Sequence, residues 1–99
     1  MIVDLRLDEG EFGSQAELQR VFDLEDQLIE AISAAGVGEY DGNEFGAGGA
    51  TLYAYGPDAD ALFAVMEGPL RDFGADPGSS ATIRHGGPDS DDVRVVPLA

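Results

Sequence analysis

Two stretches of helical periodicity, each framed by stretches of two-residue alternation, set the strongest limit on what this chain can fold into. Residues 1–7 alternate. Val3, Leu5 and Leu7 fall on one side, Asp4 and Arg6 on the other, as in a strand with one face buried. A polar loop, 8–13, follows. The S-Q-A-E run at 14–17 then reads as a capping box: Ser14 can accept from the Glu17 amide while the Glu17 side chain returns to the Ser14 amide. Leu18, Val21, Phe22, Leu28, Ile29 and Ile32 supply the apolar stripe of the predicted helix. Glu17, Asp23, Asp26 and Glu30 lie largely outside it, and Gly36 stops it.

The second half repeats the scheme with different residues. Residues 37–41 predict a short strand, 42–49 a turn or wide loop, and 50–55 a second strand. Leu52 and Ala54 take one face of that strand; Thr51, Tyr53 and Tyr55 take the other. Together they read as a β-hairpin. Gly56-Pro57-Asp58 breaks the strand, with Asp58 as N-cap and Asp60 at the positive end of a second helix. Leu62, Phe63, Met66, Leu70 and Phe73 carry its stripe. Pro69 lacks an amide proton and its ring crowds the carbonyl of Val65, which predicts a kink or break near 68–69. Gly74 ends the segment. Residues 79–85 predict a strand, 86–92 an acidic loop and 93–98 a last short strand, placed at an edge because Pro97 cannot donate to a ladder. The order β-α-β-β-α-β plus one strand, with right-handed crossovers, predicts a ferredoxin-like α+β sandwich. It would have an antiparallel sheet and two helices on one face. A chain of 99 residues makes this one domain, 1–99.

Charge limits the partners. Twenty acids face five arginines and no lysine, a formal net charge of -15. That field repels nucleic-acid phosphates and anionic membrane surfaces and attracts basic proteins and cations. With no cysteine there is no disulfide framework and no thiolate chemistry. The start, MIVDLRLDEG, has neither the basic residues nor the apolar run of a secretory signal, and no stretch approaches a membrane span. The expectation is a cytoplasmic protein.

If Val3, Leu5, Leu52, Ala54, Ala81 and Ile83 face the helices, then Asp4, Arg6, Thr51, Tyr53, Tyr55, Thr82 and Arg84 face away. Arg94 joins them if Val93 and Val95 point inward. Tyrosine and arginine are enriched at binding hot spots. Arg6, Tyr53, Tyr55, Arg84 and Arg94 are therefore the candidate binding residues, on a sheet face that could dock a basic partner protein or a second copy of the chain. The plainer reading is a solvated face in which cross-strand pairs stabilise the sheet.

Other motifs are weaker. G-N-E-F-G-A-G-G at 42–49 has the glycines of a phosphate loop, but no lysine follows and a strand, not a helix, comes next. Asp41, Asn43 and Glu44 could offer oxygens to a divalent cation. Counted from Asp41, Gly46 matches the sixth position of a calcium-hand loop, but Leu52 stands where the bidentate acid belongs. Asp89, Asp91 and Asp92 form a second acidic cluster. His85, the one histidine, could serve as a general base, without a cysteine or serine elbow to act on.

Residues 38–63 hold a D-G-N-E turn and a strand ending Y-G-P-D-A-D. Further on come P-L-R-D at 69–72 and R-H-G-G-P at 84–88. On these motifs the chain resembles a group of small acidic bacterial proteins. The resemblance spans most of the chain and implies that hairpin, second helix and last loop belong together. It brings no activity and no site residues with it.

Two functional readings follow. The first is a non-enzymatic protein-binding module, inhibitor- or adaptor-like, using the acidic surface and the Tyr/Arg sheet face, with no cofactor. The alternative is a small-ligand or divalent-cation domain, with or without enzymatic activity, using the 41–44 turn and His85.

Overall fold

A computed structural model describes residues 1–7, 15–46, 48–85 and 91–98. Along the chain run β1 (Ile2–Arg6), α1 (Gln15–Ala35), β2 (Glu39–Gly46), β3 (Gly49–Tyr55), α2 (Ala59–Asp72), β4 (Ser80–Arg84) and β5 (Val93–Pro97). The sheet order is β2-β3-β1-β4-β5, every pairing antiparallel. The β1-α1-β2 connection passes over β3, and β3-α2-β4 passes over β1. This interleaving is the ferredoxin-like arrangement, with β5 added beside β4. Pro97 lies in β5, at an end of the sheet, where its missing donor costs no ladder bond on the open side.

One core holds the layers together. Val3, Leu5 and Leu7 from β1 and its end, Ala50, Leu52 and Ala54 from β3, and Ala81 and Ile83 from β4 meet Val21, Leu24, Leu28 and Ile32 of α1 and Leu62, Phe63, Met66 and Leu70 of α2. The buried alternation of β1 and β3 is the one their sequence predicts.

Phe22 and Ile29 do not belong to the buried stripe of α1; they are 44% and 48% exposed. At about 100° per residue they stand roughly 80–100° around the helix from Val21, beyond the arc the sheet covers. Leu24 and Glu25 occupy that arc instead. The capping box lies partly outside the described residues, since Ser14 is not among them. At the other end the Gly36 amide bonds the Ile32 carbonyl at 3.0 Å, which stops the helix where expected.

In α2 the Asp58 carboxylate accepts from the amides of Asp60 and Ala61, both at 3.1 Å, in extended N-cap geometry. The break expected at Pro69 does not occur: the helix runs on to Asp72. Pro69 sits in the last turn, so only one intrahelical bond is forfeited there. The Pro69 carbonyl still accepts from Phe73 N–H at 3.1 Å.

The glycine-rich segment differs most from expectation. Residues 42–46 are strand, not loop; β2 runs to Gly46 and β3 starts at Gly49. The register steps between Tyr40 and Gly42, so Asp41 is the extra residue of a β-bulge. Gly42, at φ 138, adopts the backbone that the bulge requires and that a side chain would disfavour.

Candidate interaction face

The uncovered side of the sheet follows from the pairing register, because residues directly opposite on neighbouring strands share a face. Tyr53 lies opposite Ile2, Ile2 opposite Thr82, and Thr82 opposite Val95. An apolar and aromatic row therefore crosses four strands. Beside it, Glu39 faces Tyr55 and Arg84 faces Val93. Ile2 (41%), Tyr55 (55%), Val93 (39%) and Val95 (60%) are exposed here. The other large apolar side chains that are exposed among the described residues are Phe22 and Ile29 of α1.

Acids rim this row on its β2 side. The Tyr55 hydroxyl donates to Asp41 at 2.6 Å and the Tyr53 hydroxyl to Glu44 at 3.3 Å, so the bulge presents its carboxylate to a tyrosine. The hydrogen bond to Asp41 raises the Tyr55 pKa, aided by desolvation and the charges of Asp41 and Glu39. For Tyr53 desolvation comes first, then the Glu44 charge. Both phenols stay neutral donors, held by carboxylates across the strand pair. Thr51 donates to Asp4 at 3.3 Å.

Of the predicted binding residues, Arg6, Tyr53, Tyr55 and Arg84 share this face, and Arg94 does not. Arg94 lies opposite Ile83, whose side chain is in the core, so it projects on the helix side. There its guanidinium is 3.6 Å from Asp60. Val93 and Val95 take the open face instead.

The predicted cation ligands are separated, Asn43 from Glu44 by strand alternation and Asn43 from Asp41 by the bulge. Asp41 and Glu44 point to the open face. Asn43, opposite buried Leu52, points to the helices. Its amide donates to both carboxylate oxygens of Glu25 at 2.9 Å, and the Tyr40 hydroxyl donates to Glu25 Oε2 at 2.5 Å. Glu25 is buried, and this pair of donors is what its burial needs. Desolvation, then the bond to Glu25, pushes the Tyr40 pKa strongly upward. No group of three or more metal-ligating side chains is present among the described residues. Asp89 lies outside them.

His85 directly follows β4, beside the start of α2. Its Nε2 is 2.8 Å from Asp60 Oδ1 and its Nδ1 is 3.9 Å from Asp92. The bond to Asp60 is the main cause of a raised His85 pKa, and the same bond lowers that of Asp60. Asp60, His85 and Arg94 thus tie the first turn of α2 to the β4–β5 end. The imidazole's partners, Asp60 and Asp92, are both carboxylates.

Two groupings were not foreseen from the sequence. Glu25 stands four residues after Val21 and three before Leu28, which places an acid on the buried arc. That spacing was a readable signal. The link of Asp60 to Arg94 had none, since it depends on the register of β5.

No protein-family model, no curated protein and no solved structure matches the chain.

Proposed function

We propose that the chain is a non-enzymatic protein-binding module whose open sheet face docks a basic protein. The observation that carries this reading is the open-face row Tyr53–Ile2–Thr82–Val95, with Tyr55 and Val93 beside it, on a face where Asp4, Glu39, Asp41 and Glu44 outnumber Arg6 and Arg84. Apolar side chains gathered on one uncovered layer mark an interaction surface more than the same residues scattered would. Five strands span about 24 Å, and five residues run about 17 Å, so the footprint is roughly 400 Å² in projection. That is small beside the about 800 Å² per partner of a standard interface, so a few residues must carry the binding.

Between a basic partner and a second copy, charge decides. Two chains of net charge -15 repel when they approach, and added salt relieves that repulsion. A basic partner is drawn in, and added salt weakens the attraction. The cation or small-ligand reading finds less support, since Asn43 is engaged with Glu25 and His85 with Asp60.

The test uses the tagged chain and its Tyr55→Ser and Val95→Ser variants in native lysate, at low and moderate salt. The expected result is a stoichiometric basic protein that is lost as salt rises and lost with either variant. A partner retained by both variants would overturn the assignment to this face.

A further inference from the structure

The sheet ends in two edge strands of unlike character. β5 has five residues, ends on Pro97 and turns Arg94 toward Asp60. β2 has eight residues and no proline, and its outer edge has no strand partner among the described residues. An uncovered edge of this length exposes unpaired backbone donors and acceptors.

The surroundings of that edge are two-sided. On the helix side stand Phe22 and Ile29, the exposed pair of α1, with the Phe22 ring edge-on to Phe45 at 5.9 Å between centroids. Beyond them a groove of about 650 Å³ opens between α1 and the start of β2, lined by Ile29, Ile32, Tyr40 and Pro57. On the open-face side stand Glu39, Asp41 and Glu44. Acid lies on both sides, since exposed Asp26 stands between Phe22 and Ile29 on α1, but the charge around the edge is of one sign. β2 and β3 contain no arginine, and the one arginine of α1, Arg20, lies over the Phe73 ring at 4.4 Å, on the side of α1 that meets α2.

We propose that the edge of β2 accepts an extended segment of a partner as an added strand, one whose apolar residues alternate with lysine or arginine. Strand addition gives affinity through main-chain bonds and specificity through alternate side chains. The apolar row of such a segment would rest on Phe22, Phe45 and Ile29, and its basic row would face Glu39, Asp41 and Glu44. The bulge at Asp41 limits regular pairing to residues 42–46, and the groove beside Tyr40 takes one further apolar side chain. This site shares Glu39, Asp41 and Glu44 with the rim of the open face but none of its apolar row, so its failure would leave the reading of that row standing.

The probe is a capped octapeptide of alternating valine and lysine. The controls are a block-ordered peptide of the same composition and one with glutamate in place of lysine. Calorimetry gives affinity, and amide hydrogen exchange locates the strand. The alternating lysine peptide is expected to bind, to slow exchange at residues 42–46, and to weaken at least tenfold with Phe22→Ser or Ile29→Ser. Val95→Ser should leave it unchanged. Both α1 positions are about half exposed, so the variants are expected to stay folded, with Phe22→Ser losing a little stability with its contact to Phe45 and Ile29→Ser the cleaner of the two. Equal binding of the block-ordered peptide, protection away from β2, or no binding would each overturn the proposal. So would protection of 42–46 that rises with protein concentration alone, because the occupant would then be a second copy.

Discussion

Glu25 shows how much one side chain can determine. A buried carboxylate is tolerated only with hydrogen-bond donors, and Tyr40 and Asn43 supply them from β2. Glu25→Ala is expected to cost about 2 kcal/mol, because it leaves two partly buried donors without their acceptor. Tyr40→Phe should cost less, since Asn43 still serves the carboxylate. Urea denaturation at neutral pH measures both, and a loss under about 0.5 kcal/mol for Glu25→Ala would refute the role given to it. His85 offers a pH test. Its pKa is raised from 6.5 chiefly by the bond to Asp60, so the pair's contribution is full below pH 6.5 and is lost as pH rises through the raised value. Asp60 has the opposite sign. Its pKa lies below 3.8, so its share is present above that value and is lost as pH falls through the lowered one. Melting temperature against pH should therefore fall above 6.5 in the parent, and His85→Asn should flatten that limb. An identical profile in the variant would contradict the assignment.

At the scale of elements, the β2–β3 hairpin depends on close backbone approach at its open end. A Cβ on Gly38 would lie 1.9 Å from the Tyr55 carbonyl oxygen, which no side-chain movement can relieve. Gly38→Ala is expected to cost about 3 kcal/mol or more, through the clash and its positive φ together. Against the stability usual for a domain of this size, that is a large fraction. A denaturation midpoint close to the parent's would show that the hairpin ends are farther apart. The same hairpin explains why some of the molecule was legible in the sequence and some was not. Strict alternation in β1, β3 and β4 fixed their faces, so the open-face placement of Arg6, Tyr53, Tyr55 and Arg84 could be read directly. β5 has Val95 next to Val96, which permits either face inward, and only pairing with β4 turns Arg94 to the helices. In β2 the glycines read as a turn, because nothing local announces a bulge. Alternation alone sets Asn43 and Glu44 on opposite faces, but only the bulge moves Asp41 away from Asn43 to the side of Glu44. Phe22 and Ile29 fit a helical stripe by type, but the width of the buried arc is a tertiary property.

For the whole molecule, the helices cover one side of the sheet and nothing among the described residues covers the other. No helix among the described residues is long and apolar enough to cross a membrane. The net charge of -15 acts on this asymmetric body as a long-range field, which salt screens within about 8 Å at physiological ionic strength. On the proposed reading, the field would favour a basic occupant for the open face and the apolar row would fix where it sits. The most direct measurement is capture by the tagged chain at low and moderate salt, run beside Tyr55→Ser and Val95→Ser, with light scattering on the purified protein. The expected result is a monomer that retains a basic partner at low salt, loses it as salt rises, and loses roughly tenfold or more in affinity with either substitution. A dimer that tightens with salt and dissociates in Val95→Ser would contradict it, because the open face would then belong to a second copy of the chain.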